Sequence, residues 1–365
     1  MNNRLKEVIK LFARLGIFAF GGPAAHIVMM RHEVVAKKQW MDDEKFIDLM
    51  GATNLIPGPN STELAIHLGK EKAGWKGLFA AGAFFILPAV IITGFIAWLY
   101  KEYGSLPQFE VFTYGIKPAV IAIIVMAVYP LLKVSVKNVY LAVIGIVAFA
   151  LAMAGLHEII VMFGAGLLYM LYRLLLKRQD RVNSLAPFLA ATVSNGSLFL
   201  VFLKIGAILY GSGYVLFAFI DTELVAKGIL SRKELMDAIA VGQFTPGPVF
   251  SSVTFIGYQI NGFMGALAAT AGVFLPSFVF VALLNRVVTK IRGSKVFSSF
   301  LDAVNVASVA VIAAVCLQMG QESIMGWQTA LICLLSFLLL LFFRKMNSAF
   351  IVVFGSLTGY IFTLI

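Results

Sequence analysis

"LIPGPNSTE" (residues 55–63) and "FTPGPVFSS" (residues 244–252) place the same Pro-Gly-Pro break in two hydrophobic segments, about half the chain apart. Proline removes a backbone donor and glycine weakens a helix, so each break destabilises any helix that it interrupts. In a membrane, non-helical backbone persists where protein surrounds it or where it lines a wet cavity. The pair therefore indicates either a repeated structural kink or a functional site.

The composition is that of a membrane protein. Of the 365 residues, 60% are hydrophobic and 13% are charged, and a soluble protein carries about twice that charge. About twelve apolar segments, among them 46–66 and 235–256, approach the ~20 residues that a helix needs to cross a bilayer. The sequence therefore predicts an all-α polytopic membrane protein, embedded in the lipid bilayer of the cell (plasma) membrane and broken at the Pro-Gly-Pro motifs.

Several other functions are disfavoured by the sequence. The net charge of +11 is spread over short loops, as the positive-inside bias would place it, so no nucleic-acid partner is expected. Cys316 and Cys333 lie in apolar segments without metal-ligand spacing, so neither a disulfide nor a metal site is predicted. DDxxD-type, HExxH, GxSxG and P-loop motifs are missing. We therefore expect no cofactor and no enzymatic activity.

The two halves of the sequence are related over a long stretch. Shifted by about 190 residues, "LFARLGIFAFGGP" (11–23) overlays "VFLKIGAILYGSG" (201–213), and Glu33 and Asp48 align with Glu223 and Asp237. Ordered identities with small drift are stronger than one motif and predict a duplicated chain. We divide it into a first repeat over 1–181, a linker over 182–197 and a second repeat over 198–365.

The charges of the loops predict the orientation of the repeats. Residues 70–76 carry a net charge of +2, whereas the equivalent residues 258–264 carry none. Residues 101–110 carry −1, whereas their counterparts carry +4 from Arg286, Lys290, Arg292 and Lys295. Opposite balances favour opposite sides of the membrane and hence inverted repeats, a plan common among secondary transporters. Six spans in each half require one further crossing, which we place at 182–197, although a helix of that length reaches ~24 Å against a core of ~30 Å.

A helix that restarts after each break offers free amide groups and about half a positive charge, which suits an anion. We therefore predict substrate-binding residues in and beside both breaks. They are Asn54, Pro57, Gly58, Pro59, Asn60 and Ser61 in the first half, and Gln243, Thr245, Pro246, Gly247, Pro248 and Ser251 in the second. The alternative is a kink or re-entrant turn that binds no ligand.

A second break, "FAFGGPAAHIVMMRHE" (18–33), adds further candidates. Gly21 and Gly22 allow a ligand or a backbone to come close. His26 follows one helical turn later and suits anion binding when protonated, or proton relay. The alternative for His26 is a packed, hydrogen-bonded histidine. We expect a loop around the charged residues that follow, Arg31, Glu33, Lys37 and Lys38.

Charged residues inside apolar segments are functional candidates because their burial costs several kcal/mol. Lys117 suits an anion or a salt bridge to an acid, and its alternative is snorkelling to the interface. Glu63 and Asp302 suit proton carriage, and Glu33 is a further candidate for this role. The counterpart of Glu63 is Ser252, so the repeat does not require a charge there.

At these residues the chain resembles the chromate ion transporter family in its long, two-domain form. The matching stretches include "FGGPAAHI", "RHEVVAKKQWMDDEKFIDLMGATNLIPGPNSTELAIHLG", "ELVAKGILSRKELMDAIAVGQFTPGPVFSSVTFIGY" and "FLDAVNVA". The resemblance covers roughly 10–135 and 198–320. It departs at Asn54, where the family often has Gln, and at Arg286, where a Pro is common.

The resemblance implies a secondary transporter that exports chromate, driven by the proton gradient, with sulfate as the look-alike oxyanion. The partners would be this oxyanion and protons, and a homodimer is left open. An importer of sulfate or another anion is the first alternative. A membrane enzyme acting on a lipid headgroup or prenyl phosphate, and a channel, are alternatives from other classes.

Overall fold

The computed structural model describes residues 3–19, 22–53, 56–103, 114–175, 194–210, 214–291, 295–343, 346 and 348–364. Within them the chain forms fourteen α-helices and no strand. They are α1 (Asn3–Phe18), α2 (Gly22–Arg31), α3 (Asp43–Thr53), α4 (Asn60–Tyr103), α5 (Ile116–Ser135), α6 (Val139–Met153), α7 (Glu158–Leu175), α8 (Asn195–Ile208), α9 (Val215–Ile220), α10 (Arg232–Phe244), α11 (Ser252–Ile291), α12 (Lys295–Ser323), α13 (Trp327–Phe342) and α14 (Ser348–Leu364). The π-helical stretches His32–Lys37 and Asp221–Val225 continue α2 and α9, and a 3₁₀ turn, Val249–Ser251, precedes α11.

Four described segments are long and apolar enough to cross a membrane, and five shorter apolar helices accompany them. The four are Asn60–Tyr103, Ile116–Lys133, Val249–Leu283 and Ser299–Ser323. The predicted all-α membrane fold is therefore confirmed. The prediction of single spans over 46–66 and 235–256 is wrong, because each Pro-Gly-Pro motif divides its segment into two shorter helices.

Helices α4 and α11 each contain a sharp reversal at equivalent positions. Gly74 has φ 63° and ψ −150°, and Gly262 has φ 60° and ψ −149°, a conformation that side chains with a Cβ resist. Gly69 packs so closely on Gly77 that a Cβ on Gly69 would collide with the Gly77 carbonyl. Each helix is thus a short arm (60–72 or 252–260) followed by a long arm (75–103 or 263–291). The long arms have about 29 residues, roughly 43 Å, enough to cross a bilayer.

The helix before each break and the short arm after it form a helical hairpin with the Pro-Gly-Pro motif at its tip. In the first hairpin (43–72), Lys45 Nζ lies 2.6 Å from Glu71 Oε2, so the start of α3 meets the end of the short arm. In the second hairpin (232–260), Tyr100 donates a 2.6 Å hydrogen bond to Asp237 of α10, while Lys101 lies over the Tyr258 ring. Both hairpins therefore enter the bundle and return to the same end.

Contacts between the hairpin bases and the long arms establish the relative orientation of the two halves. Lys70 Nζ, at the base of the first hairpin, donates to the carbonyls of Val281 and Ala282, near the end of the α11 long arm. Gln259 Nε2, at the base of the second hairpin, donates to the Ala97 carbonyl, near the end of the α4 long arm. Each long arm begins at its own hairpin base and ends at the other. The arms therefore run antiparallel, as the predicted inversion requires.

The halves also interleave. The first-half helix α5 packs against α13 and α14, whereas the second-half helix α12 packs against α6 and α7. The interleaving explains why the largest buried core contains residues from both halves. The predicted extra crossing at 182–197 falls outside the described residues, except for 194–197, where α8 begins.

Candidate functional site

The two Pro-Gly-Pro loops are joined to opposite halves by a reciprocal pair of backbone hydrogen bonds. The Gly58 amide donates to the carbonyl of Leu209, just after α8, at 2.7 Å. The Gly247 amide donates to the carbonyl of Ala19, just after α1, at 2.8 Å. Each loop thus binds the helix end that belongs to the other repeat, and both breaks lie at the interface between the halves.

Both loops also pack against the middle of a long arm. A Cβ on Gly58 would lie 2.9 Å from Ser277 Oγ, and a Cβ on Gly247 would lie 3.0 Å from the Cβ of Ala89. Ser277 and Ala89 are each about 14 residues, or roughly 21 Å, from the start of their long arm. The loops are therefore near the mid-depth of the bundle, where inverted-repeat transporters hold their substrates.

The loop backbone permits the helices to restart there. Gly58 and Gly247 have φ values of 134° and 83°, in the region that favours glycine. The Pro59 carbonyl accepts from the Thr62 and Glu63 amides at 2.8 and 3.1 Å, and the Pro248 carbonyl accepts from the Ser251 amide at 2.9 Å. The first amides of both new helices precede these bonds, at the positive end of the helix dipole. The prediction that a helix restarts after each break is confirmed.

His26 connects three of the predicted elements. Its Nε2 lies 3.1 Å from the Ala19 carbonyl, so Nε2 carries the proton and donates. Its Nδ1 lies 3.4 Å from Ser61 Oγ, and the ring packs edge-on against Phe85. Because Ala19 also accepts from Gly247, His26 links the start of the α4 short arm to the second loop. Gly22, with φ 76°, begins α2 nearby. Gly21 and Asn54 lie outside the described residues.

Polar atoms without a hydrogen-bond partner lie close to both loops. Among the described residues, six polar atoms are buried without a well-formed hydrogen bond: the Gln243 amide nitrogen, the hydroxyl oxygens of Thr62, Ser252 and Ser277, and both carboxylate oxygens of Glu63. Ser277 lies close to the Glu63 carboxylate, and Tyr214 lies close to the Gln243 side chain. The Glu63 carboxylate and Ser277 Oγ both lie against Gly58. Buried polar atoms are nearly always paired in native proteins, so an unpaired group of this size indicates a place that binds a polar ligand, ions or water.

Comparison with known proteins assigns the chain to a family. The family model described as chromate transporter matches it twice, over residues 6–170 and 196–360. The chain belongs to the chromate transporter family. A chromate transport protein of Cupriavidus metallidurans is 33% identical over 97% of this chain and 92% of the relative. A probable chromate transport protein of Synechococcus elongatus is 29% identical over 98% and 95%.

An uncharacterized transporter of Methanocaldococcus jannaschii is 30% identical over 97% of this chain and 94% of the relative. No solved structure matches the chain with significance. The matches describe a family of transporters rather than of enzymes, and together with the apolar helices they make this chain a multi-pass membrane protein.

Two predicted site residues of this chromate transporter family member lie away from the loops. Lys117, on the first turn of α5, is close enough to Asp237 for its charge to act on that carboxylate. Asp237 is about nine residues of helix and loop from the second break. Asp302 forms a 2.7 Å ion pair with Lys137, near the junction of α5 and α6. The described contacts therefore do not bring Lys117 or Asp302 to either loop.

Glu33 belongs to an ion triad that the second half repeats. Its carboxylate lies 2.5 Å from Arg14 and 3.6 Å from Lys37. The equivalent Glu223 pairs with Lys204, with Lys227 at 2.6 Å and with His157 at 3.5 Å. Burial raises the pKa of Glu33, but Arg14 and Lys37 outweigh burial and hold this pKa below its ordinary value. Glu33 therefore stays ionised at neutral pH.

The loop expected around Arg31, Glu33, Lys37 and Lys38 is wrong. Arg31 ends α2, and the π-helical stretch His32–Lys37 continues the helix. The physical reason is Val34, which is fully buried in the core around α1 and α4, so this face of the segment packs as a helix although its charges suggest a loop.

Several groups that the structure places at the loops were not predicted from the sequence. Ala19 and Leu209 take part through their carbonyls, which leave no side-chain signature. Ser277 is recognisable afterwards, because it follows Pro276 as Ala89 follows Pro88. Of the predicted hydroxyls, Ser251 accepts from Thr93 at 3.2 Å, and Thr245 donates to the Val241 carbonyl and so serves its own helix.

Proposed function

We propose that this protein exports chromate, or a tetrahedral oxyanion of similar shape and charge such as sulfate, across the plasma membrane in exchange for protons. Family membership supports a transport role, and the names of the relatives support chromate. The observation that carries the proposal is the reciprocal pair of loop hydrogen bonds, Gly58 to Leu209 and Gly247 to Ala19. It supports a single site at mid-depth shared by two inverted repeats of 1–181 and 198–365.

The chemistry around the loops suits a small dianion. The helix starts at Asn60 and Val249 direct backbone amides and dipole ends toward the break, as phosphate and sulfate sites do. Ser61, Gln243 and the unpaired hydroxyls of Ser252 and Ser277 supply neutral donors to several oxygens at once. His26, bonded between Ala19 and Ser61, adds a positive charge when protonated. Neutral donors and one switchable charge allow both binding and release.

Among the predicted proton carriers, Glu63 has the surroundings that suit the role. It is fully buried and unpaired against the first loop. Glu33 and Asp302 are held in ion pairs, and we give them structural roles. Lys117, beside Asp237, supplies positive charge at the edge of the second hairpin. In this scheme the protein holds either a proton on Glu63 or an anion at the loops, but not both at once. Transport of the anion in one direction is therefore coupled to transport of protons in the other.

The test uses everted membrane vesicles that contain the protein, supplied with radiolabelled chromate or sulfate, with and without a proton gradient. We expect saturable chromate accumulation that the gradient drives and that vesicles without the protein lack. Preferred accumulation of sulfate would indicate that sulfate is the substrate. Uptake by right-side-out vesicles alone would indicate import rather than export. Absence of any gradient-driven anion flux would overturn the proposal.

A matched pair of variants locates the site. Gln243→Ala removes a side-chain amide whose nitrogen is unpaired beside the second loop, whereas Gln259→Ala removes an amide whose nitrogen bonds the Ala97 carbonyl at the hairpin base. Gln243→Ala should raise the KM for chromate about tenfold, the effect of losing one hydrogen bond to a charged group. Gln259→Ala should leave KM within about twofold. Equal KM values for the two variants would place the site elsewhere.

A further inference from the structure

His67 lies one helical turn after Glu63 on the short arm that begins at the first loop. Glu63 is fully buried and His67 is 1% exposed. Among the described residues, neither ring nitrogen of His67 has a hydrogen-bond partner, and neither carboxylate oxygen of Glu63 makes a well-formed hydrogen bond, although the Ser277 hydroxyl lies close to this carboxylate. Residues four apart on a helix share a face, with about 6 Å between their Cβ atoms. Two titratable groups thus stand in line inside the protein without the partners that such groups normally require.

The line continues to the surface at the base of the first hairpin. Lys70 and Glu71 occupy the next turn, and Glu71 pairs with Lys45 of α3 at 2.6 Å. The charges of Glu71, Lys70 and Lys45 act on the His67 ring. The side chain of Glu71 is one quarter exposed, so this end of the line meets the surface.

The elements packed around the line supply the remaining polar groups. From α1, Glu7 binds Lys72 at 3.3 Å, below His67. From the α11 long arm, Ser277 reaches Gly58 beside Glu63, and the Val281 and Ala282 carbonyls hold Lys70. From the end of α8, Tyr210 lies within electrostatic reach of Glu63. Within the described residues no third His, Cys, Asp or Glu joins the pair to form a metal cluster.

The second hairpin has the same backbone without this chemistry. The positions equivalent to Glu63 and His67 are Ser252 and Ile256, both buried. The fold of a hairpin therefore needs neither an acid nor a histidine at these positions. Their presence in one hairpin alone indicates a function rather than a structural requirement.

We propose that His67 and Glu63 form a proton relay between the base of the first hairpin and the Pro-Gly-Pro loop. A proton arriving from water at the Glu71 end binds one ring nitrogen of neutral His67. The imidazolium then gives the proton on its other nitrogen to a carboxylate oxygen of Glu63. The products are neutral imidazole and a carboxylic acid, so one proton has moved and no other species is consumed. The relay rests on the proposed proton-coupled function and gives its coupling proton a route.

The experiment separates proton coupling from substrate binding in the same vesicles. One readout is chromate accumulation driven by a proton gradient, and the other is exchange of labelled for unlabelled chromate without a gradient. In His67→Gln, accumulation should fall about tenfold or more, while exchange stays within about twofold, because exchange moves no net proton. Glu63→Gln should behave alike. His32→Gln, at an exposed histidine of the same half, should match the unaltered protein.

A second variant guards against misfolding. His67→Ile copies the buried residue of the second hairpin, so it should fold and show the same loss of accumulation. Unimpaired accumulation in either folded His67 variant would overturn the relay and leave the proposed function standing. Loss of exchange together with accumulation, in folded protein, would overturn the relay in favour of a substrate-binding role. Failure of the unaltered protein to accumulate chromate with the gradient would overturn the proposed function and the relay together.

Discussion

The two hairpins have the same backbone and different chemistry. Each has a Pro-Gly-Pro tip that bonds to the other half, and each reverses at a glycine of nearly identical φ and ψ. Yet Glu63 and His67 of the first hairpin are replaced by Ser252 and Ile256 in the second. The two halves therefore share the backbone of the site, which suits an anion. The titratable side chains, Glu63 and His67, belong to the first half alone.

The hairpins also differ in how deeply they are packed. In the second, α10 packs against α5 and α14, and Met236 is 3% exposed. In the first, the main contacts of α3 are with α4 and α11, and the equivalent Ile47 is 54% exposed. The ion triads follow the same trend, since the side chain of Glu223 is 3% exposed and that of Glu33 is 11% exposed. The first hairpin is therefore held mainly by its own half and the long arm of α11.

The largest effect should come from the loop glycines. Gly58→Ala places a Cβ at positive φ, which costs about 1–2 kcal/mol, and drives it into the Glu63 carboxylate. Chromate flux per folded protein should fall more than about tenfold. Gly247→Ala, whose Cβ meets Ala89, should fail similarly. The control is Gly155→Ala, at an exposed glycine between α6 and α7 that has positive φ and open space around it, and it should retain flux. Normal chromate flux in Gly247→Ala together with loss of flux in Gly58→Ala would show that the two loops are not equivalent.

An intermediate effect should separate the two ion triads. Glu223→Gln leaves Lys204, whose side chain is 22% exposed, beside a deeply buried site without its partner, so the free energy of unfolding in detergent should fall by about 2–3 kcal/mol. Glu33→Gln should lower it by about 1 kcal/mol or less, because Arg14 and Lys37 are about half exposed and reach water. Denaturant titration of both variants measures the difference. Equal losses would contradict the difference in packing.

The smallest effect should appear on the outer face of α3, whose counterpart on α10 is buried. Met236→Ala opens a cavity in the core and should cost about 2–5 kcal/mol. Ile47→Ala, at the equivalent but exposed position, should cost about 0.5 kcal/mol or less. Melting temperatures in one detergent compare the two. A large loss for Ile47→Ala would indicate that another surface covers α3 in the membrane.

The sequence predicted the features that local chemistry encodes. The length of the apolar segments predicted the helices, and the motifs Pro57–Pro59 and Pro246–Pro248 predicted the breaks. The net charges of the loops predicted the inversion. It did not reveal that 46–66 belongs to a hairpin, because its apolar length suits a crossing and the reversal lies further on, at Ala73–Gly74. The bonds to Ala19 and Leu209 use backbone atoms, and the approach of Lys117 to Asp237 depends on tertiary packing, so neither leaves a pattern in the sequence.

The central claim is that two inverted repeats place their Pro-Gly-Pro loops together at mid-depth, and cysteine accessibility tests it most directly. Cys316 and Cys333 are first replaced by alanine, and single cysteines are introduced as Lys72→Cys and Lys101→Cys. Lys72 lies at the base of the first hairpin, and Lys101 lies beside Tyr258 at the base of the second. An impermeant maleimide should label the two from opposite sides of the membrane, with Lys45→Cys on the side of Lys72→Cys. Labelling of Lys72→Cys and Lys101→Cys from the same side would contradict the inverted arrangement.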